Sequence, residues 1–396
     1  MFADLEKLAP DPILGVTIAF RADPTPGKVD LGVGVYRDSH GQTPIPAAVR
    51  EAERAVLSAQ TSKTYVGPLG NADFNQRIAE LALGSLTARL RERVATIQTV
   101  GGCGALRLGA EILKATRKEP VVHVSTPTWA NHEPLLGSSG LALQRYPYYD
   151  AAAHRLEFER MLDALERIAP GNVVLLHGCC HNPTGADLAP AEWEQVADLL
   201  LRRSLTPFVD MAYQGLGEDL ERDATGLRII ADRVPEMLLA ISCSKNFGLY
   251  RERVGALTVL AENPAAAVAV SSHQARIARR IYSMPPDHGA AIAAHVLGDA
   301  KLRQAWELEL AGMSARIAEL RNLLADRLAR RRPDLDLGWL RHQKGMFSLL
   351  GIDAVRLETL RERHHVYTPP DSRINVAGVS QANVDYVADS IAPLLS

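Results

Sequence analysis

The sequence predicts an α/β protein: a core built on a mostly parallel sheet, joined to a smaller α+β unit. Three observations lead there. Short β-branched, apolar runs alternate with longer helical patterns, the mark of strand–helix–strand units. At 396 residues the chain exceeds one compact core, so two units are expected. Apolar residues at 47% and charged residues at 23% are ordinary for a globular protein.

In chain order, the first 40 or so residues are loop-rich and are expected to join the smaller unit. Strands are expected at 121–124, 173–176, 206–210, 238–242 and 256–260, and helices at 104–115, 158–168, 190–202 and 264–282. A long helical stretch, 299–332, then leads to shorter strands near 346–350 and 373–376. The division expected is an arm and part of the small domain at 1–43, a large domain at 44–312 and a small domain at 313–396.

Charge and composition narrow the function. A net charge of -2 gives no reason to expect nucleic acid or an anionic membrane as partner. No apolar run approaches the ~18 residues of a membrane span. The start, Met1 to Lys7, is acidic and mixed, so no secretory signal is expected. Four cysteines make no disulfide framework, and Cys179 and Cys180 are adjacent; reduced thiols and a cytoplasmic location are expected. No spacing suggests zinc, and no metal is expected.

Chemistry centres on Lys245. Only eight of the 44 basic residues are Lys. A chain that prefers Arg for charge has kept a Lys directly after an apolar strand, in Ser242-Cys243-Ser244-Lys245-Asn246-Phe247-Gly248. Arg cannot lose its proton or form an imine, whereas Lys does both when its surroundings lower its pKa. A lone Lys of this kind is usually a surface residue; its companions change the reading. Asp210 closes an apolar strand, with Tyr213 three residues on. Ligands of open α/β sheets gather at such strand ends, and a buried carboxylate needs a cationic partner, which a pyridinium nitrogen would supply. Asp210 reads equally well as a helix cap. Asn182 precedes Pro183 after another strand, so its amide is held rigidly and can donate to a ring oxygen; an Asn-Pro turn is the plainer reading. Gly101-Gly102-Cys103-Gly104 opens a strong helix pattern, where backbone N–H groups and the helix dipole favour a phosphate. It matches neither G-x-G-x-x-G nor the Walker pattern. Ser242, Ser244 and Arg253 supply hydroxyls and a guanidinium suited to the same anion, or simple turn chemistry and a solvated charge.

Together these residues form an ordered set that resembles the aspartate/aromatic aminotransferase family, class I, fold type I pyridoxal-phosphate enzymes. The resemblance runs from Asp11-Pro12-Ile13-Leu14-Gly15 to Ser372-Arg373-Ile374-Asn375. It is most specific at Cys180-His181-Asn182-Pro183-Thr184-Gly185 and at Ser244-Lys245-Asn246-Phe247-Gly248-Leu249-Tyr250. It implies a seven-stranded type of sheet sandwiched by helices, and pyridoxal 5'-phosphate as cofactor. Lys245 would carry the cofactor and move the proton of the substrate α-carbon. Asp210 would pair with the pyridinium nitrogen, and Asn182 and Tyr213 with the ring 3′ oxygen. Trp129 would stack on the ring, with His132 and His177 behind Asp210. Gly102, Cys103, Ser242, Ser244 and Arg253 would hold the phosphate, with Tyr65 from the neighbouring subunit. Arg373 would take the substrate α-carboxylate, Gly34 would lie in a loop over the substrate, and Arg279 of the neighbouring subunit would take a distal carboxylate. The implied assembly is a homodimer with shared active sites.

The chain departs from the pattern at Cys103, where the family often has Ser or Thr, and at Met284, where aspartate-specific members usually have Asn. A thiol is the poorer donor, and Met makes a softer pocket. Thr43 and Thr64 do not decide between aspartate and aromatic members. A broad enzyme is therefore expected, moving the amino group of aspartate and aromatic amino acids to 2-oxoglutarate or oxaloacetate. Two alternatives stand beside it. A lyase or decarboxylase could use the same scaffold, but the pairing of Arg373 with Arg279 favours a substrate with two carboxylates. A cofactor-sensing regulator would carry a DNA-binding extension, and no basic segment precedes Asp11.

Overall fold

The computed structural model describes residues 1–8, 11–116 and 119–395. Its centre is a seven-stranded sheet. The strands are β1 (Val94–Val100), β2 (Val122–Thr126), β3 (Leu143–Pro147), β4 (Val173–His177), β5 (Thr206–Met211), β6 (Met237–Ser242) and β7 (Val254–Leu260), in the spatial order β1-β7-β6-β5-β4-β2-β3. Strands β2 to β6 pair in parallel, and β7 is antiparallel to both β6 and β1.

Successive residues of a strand point to opposite faces. Along β5 and β6, Phe208, Leu238 and Ala240 enter one apolar layer with Leu106, Leu108 and Ile277. Val209, Leu239 and Ile241 enter the other, with Trp193, Val196 and Ile230. Both faces of the sheet are therefore buried, which is why its central strands read as continuous apolar runs. Gly109 is needed for this packing, because a Cβ there would come within 2.4 Å of the Phe208 ring.

A second apolar core gathers Val29, Leu31, Leu357, Leu360, Val366, Ile374 and Val387. It holds two short pairs: Val29–Asp30 parallel to Val366–Tyr367, and Phe347–Leu349 antiparallel to Arg373–Asn375. The helix Ala300–Arg331 passes through position 312 without a break. Its Trp306, Leu310 and Ile317 belong to the first core, and its Leu320, Leu324 and Leu328 to the second.

The five expected central strands are present with ends shifted by a few residues. Strands β1 and β3 lie outside the expected set. In β1 the apolar pattern is broken by Thr96, Gln98 and Thr99: Gln98 accepts from Asn71 N–H at 2.8 Å and donates to the Pro286 carbonyl at 2.7 Å, Thr96 pairs with Thr258 at 3.0 Å, and Thr99 donates to the Gly101 carbonyl at 2.9 Å. The loop-rich N-terminus contains a helix, Pro12–Ala22, whose first N–H groups are capped by Asp11 Oδ1 at 2.9 Å. Among the described residues no helix is long and apolar enough to cross a membrane.

Candidate active site

The parallel strands all end at one edge of the sheet, and register sets their last residues side by side: His177 opposite Asp210, and Asp210 opposite Ala240, two residues before Ser242. A cleft of about 830 Å³ opens there, walled on its far side by Phe347 and Arg373 of the small strand pair. Helix N-termini also point to this edge, which makes it the natural place for an anionic ligand.

Asp210 is 9% exposed and accepts from His132 Nε2 at 3.0 Å. Burial pushes its carboxyl up, but the His132 hydrogen bond and the electrostatic pull of the groups around it, Lys245 among them, prevail and hold it below its ordinary value. Behind it, Thr128 Oγ1 lies 2.7 Å from His132 Nδ1 and 3.1 Å from His177 Nε2. One assignment satisfies every member. His132 donates to Asp210, Thr128 donates to His132, His177 donates to Thr128, and Asn182 N–H faces His177 Nδ1 at 3.5 Å. Burial drives the His177 imidazole down to about 3, so it is neutral.

Lys245 follows β6 on the short turn after Ser242. Its Nζ is 4.7 Å from the centre of the Tyr213 ring. Protein surrounds it while the cleft leaves it partly open. Burial lowers its amine below the ordinary lysine value, with Asp210 acting the other way. Burial raises the Tyr213 phenol, whose oxygen lies 3.5 Å from Asn182 Nδ2.

The far end of the cleft is built for an anion. Gly102 and Cys103 stand in the first turn of the helix Gly101–Ala115, with N–H groups that no preceding turn can satisfy. Ser242 and Ser244 bring their hydroxyls within 3.1 Å of each other. Arg253 lies over Gly101, where φ is +66° and a Cβ would sit 2.6 Å from Nη2; only glycine admits both. Burial raises the Cys103 thiol, which is therefore neutral.

At the mouth, Arg373 is 3% exposed. Its Nη1 donates to Asn182 Oδ1 at 3.1 Å and its Nη2 to the Gly32 carbonyl at 2.8 Å. Its Nε is buried and has no partner among the described residues. The guanidinium lies 4.3 Å from the Phe347 ring centre, which fixes its plane. Gly34 lines the cleft, and a Cβ there would come within 3.1 Å of the same ring. Asn375 holds that loop by donating to the Val33 and Val35 carbonyls at 2.6 and 2.8 Å, and Tyr250 Oη accepts from Tyr36 N–H at 2.9 Å. Trp129 lines the cleft edge-on to His132, with ring centres 5.2 Å apart.

Thus one chain brings together Gly34, Gly102, Cys103, Trp129, Asn182, Asp210, Tyr213, Ser242, Ser244, Lys245, Arg253 and Arg373. It does not bring in Tyr65, which is 90% exposed, or Arg279, which is exposed and donates to Ser283 Oγ. Met284 is also away from the cleft, and Thr43 hydrogen-bonds the Tyr36 carbonyl at 2.9 Å. Phe347 and Leu106 line the cleft though nothing in the sequence marks them, and Tyr250 and the capped turn at Asp11, Ile13 and Leu14, which the resemblance includes without a role, line it as well.

The sequence pattern of aminotransferase class I and II matches residues 26–391. The chain belongs to that family. An aromatic-amino-acid aminotransferase of Pseudomonas aeruginosa is 45% identical over 392 residues, covering 99% of this chain and 98% of the relative. An aspartate aminotransferase of Haemophilus influenzae is 41% identical, covering all of both chains. The crystal structure of the aromatic-amino-acid aminotransferase from Burkholderia pseudomallei covalently bound to pyridoxal phosphate superposes with a TM-score of 0.96, at 41% identity and complete coverage of both. Aminotransferases of this family depend on pyridoxal phosphate. The cleft fits that group: Asp210 turns one oxygen to His132 and lines the cleft, and a helix N-terminus, two hydroxyls and a guanidinium converge where a phosphate would lie.

Proposed function

We propose that this aminotransferase moves the α-amino group between aspartate or aromatic amino acids and 2-oxoglutarate or oxaloacetate, in two half-reactions at one site. The observation that carries the reading is the single cleft in which Lys245, Asp210 and Arg373 meet. Pyridoxal phosphate, once bound, supplies an aldehyde and an electron-withdrawing ring. Asp210 would pair as an anion with the cofactor's ring nitrogen, and the His132–Thr128–His177 chain holds its carboxylate in place. Gly102, Cys103, Ser242, Ser244 and Arg253 would hold the phosphate. Asn182 and Tyr213 would hold the ring oxygen, and Trp129 would cover a ring face. Arg373 has three N–H groups not used by Asn182 or Gly32, enough to fork an α-carboxylate. Lys245, with its lowered affinity for a proton, would take the proton from the substrate α-carbon, deliver it to C4′ of the cofactor in the same half-reaction, and carry it the opposite way in the second.

Tyr65 and Arg279, remote from the cleft of their own chain, serve the cleft of a second copy in a homodimer, Tyr65 at the phosphate and Arg279 at a distal carboxylate. Both relatives' named substrates are kept, because Met284, just after the Arg279 cluster in the sequence, is apolar and deformable. Four free cysteines fit a reducing cytoplasm. Steady-state kcat/KM for aspartate, tyrosine and phenylalanine with 2-oxoglutarate tests the substrate range; no amino transfer from any of them would reject it. Arg279→Leu is expected to lower kcat/KM for aspartate about 100-fold, since it removes a charge-assisted bidentate contact, and to spare phenylalanine. Equal losses would remove its role.

A further inference from the structure

Cys179 and Cys180 follow β4 directly, between His177 and Asn182, and amino transfer uses neither. Both are buried, at 5% and 1% exposure. Their sulfurs and a carboxylate oxygen of Asp223 all lie within 4.8 Å of one another. The thioether of Met211, at the end of β5, is 3.5 Å from Cys179 Sγ. Asp223 Oδ2 accepts two N–H groups, from Gly215 and Gly217, but Oδ1 accepts only from Glu218, which leaves it a lone pair. Glycines let the chain pass close to Cys180 Sγ. A Cβ on Gly217 would stand 3.0 Å from that sulfur and 2.6 Å from Asp223 Oδ1, and one on Gly345 would stand 2.7 Å from the sulfur. The nearby charges favour a cation: the carboxylates of Asp187 and Asp223 act on both thiols, and against them only the Arg321 guanidinium acts on Cys180. Cys179 borders the cleft, which provides a way in.

We propose that Cys179, Cys180 and Asp223, with Met211 as a thioether donor, form a binding site for one soft closed-shell cation, separate from the cofactor's cradle. Thiolate and thioether donors select soft d¹⁰ ions such as copper(I), zinc or cadmium over magnesium and calcium. In binding, two S–H bonds break, both protons leave to solvent, and two sulfur–metal bonds form; nothing is oxidised or reduced. The sequence spacing hides this site, because its oxygen and thioether come from other elements.

Cadmium chloride is the probe. Titrated into the holoenzyme, it is expected to raise a cadmium–thiolate charge-transfer band in the ultraviolet that saturates at one ion per chain with the intensity of two thiolates. Affinity is expected to rise about 100-fold per pH unit, as release of two protons requires. Cys180→Ser is expected to halve the band and weaken binding at least tenfold, and Met211→Leu to weaken it less. Cys103→Ser and Cys243→Ser are expected to leave the band unchanged. A band of one-thiolate intensity, a tenfold slope with pH, or a band lost in Cys103→Ser but kept in Cys179→Ser/Cys180→Ser would overturn the site. If Cys180→Ser does not fold, cadmium NMR of the unmodified holoenzyme decides. A resonance in the range of sulfur coordination supports the proposal, and one in the oxygen and nitrogen range rejects it.

Discussion

Lys245 and Asp210 are two ionisable groups in one enclosed space, shifted in the sense that chemistry requires: the amine toward neutrality and the carboxylate toward charge. Lys245→Ala is expected to lower amino transfer on the order of 10⁴-fold, the span of a lost proton carrier, and to prevent borohydride from fixing cofactor mass on the peptide that holds residue 245. Transfer at the normal rate would end the assignment. The buried histidines predict an acid sensitivity. His177 is lowered to about 3 by burial, against about 6.5 unfolded, and burial also holds His181 well below its ordinary value. Between those values the unfolded chain binds protons that the folded chain does not, so stability is full above pH 6.5 and falls as pH drops toward 3. At pH 5.5 His177 alone costs about 1.4 kcal/mol. Asp223, raised to about 6 by burial, works the other way, and at pH 5.5 it offsets less than about 1 kcal/mol of this. Denaturant melts of the holoenzyme at pH 7.5 and 5.5 check the net loss; a flat profile rejects it. Residues such as Lys245, Asn182 and Asp210 were legible because glycine, proline and strand ends mark them locally. Thr128 was not, since nothing in its neighbourhood announces a hydroxyl that joins two histidines from separate elements.

At the scale of elements, the site depends on joints the sequence does not display. Gly185 ends the turn after Asn182 with φ at +69°, and a Cβ there would meet the Phe347 carbonyl at 2.3 Å. Gly185→Ala is expected to cost about 1–3 kcal/mol in denaturant unfolding, from strain at that φ and displacement of Phe347. Because Phe347 supports Arg373, KM for amino acids is expected to rise more than kcat falls. The helix Ala47–Ala59 has no cap of its own at Pro46. Glu309, from the long helix, accepts the N–H groups of Ala47 and Ala48 at 2.8 and 3.3 Å. Glu309→Ala is expected to lower stability by about 1 kcal/mol with kcat unchanged, as judged by urea midpoint and initial rate. Helix and strand interiors were legible from periodicity. Edge strands β1 and β3 were not, because polar residues such as Thr96, Gln98, Gln144 and Arg145 interrupt their apolar pattern.

For the whole molecule, the exposed Tyr65 and Arg279 give the shared-site dimer a direct test. Lys245→Ala and Arg279→Leu chains, each poor with aspartate alone, are unfolded, mixed in equal amounts and refolded together. Half the dimers then pair unlike chains, and one of their two clefts has both groups intact, so about a quarter of normal aspartate activity is expected to return. No recovery would mean that each cleft is served by its own chain. The α/β class and its second unit were legible because alternation and length are bulk properties. The passage between the two cores was not, because it lies inside one uninterrupted helix. That helix, Ala300–Arg331, spans about 48 Å at 1.5 Å per residue. Anchored in both cores, it works as a tiller: a tilt of about 5° in its last 15 residues shifts its tip by roughly 2 Å, the scale on which a guanidinium gains or loses a carboxylate.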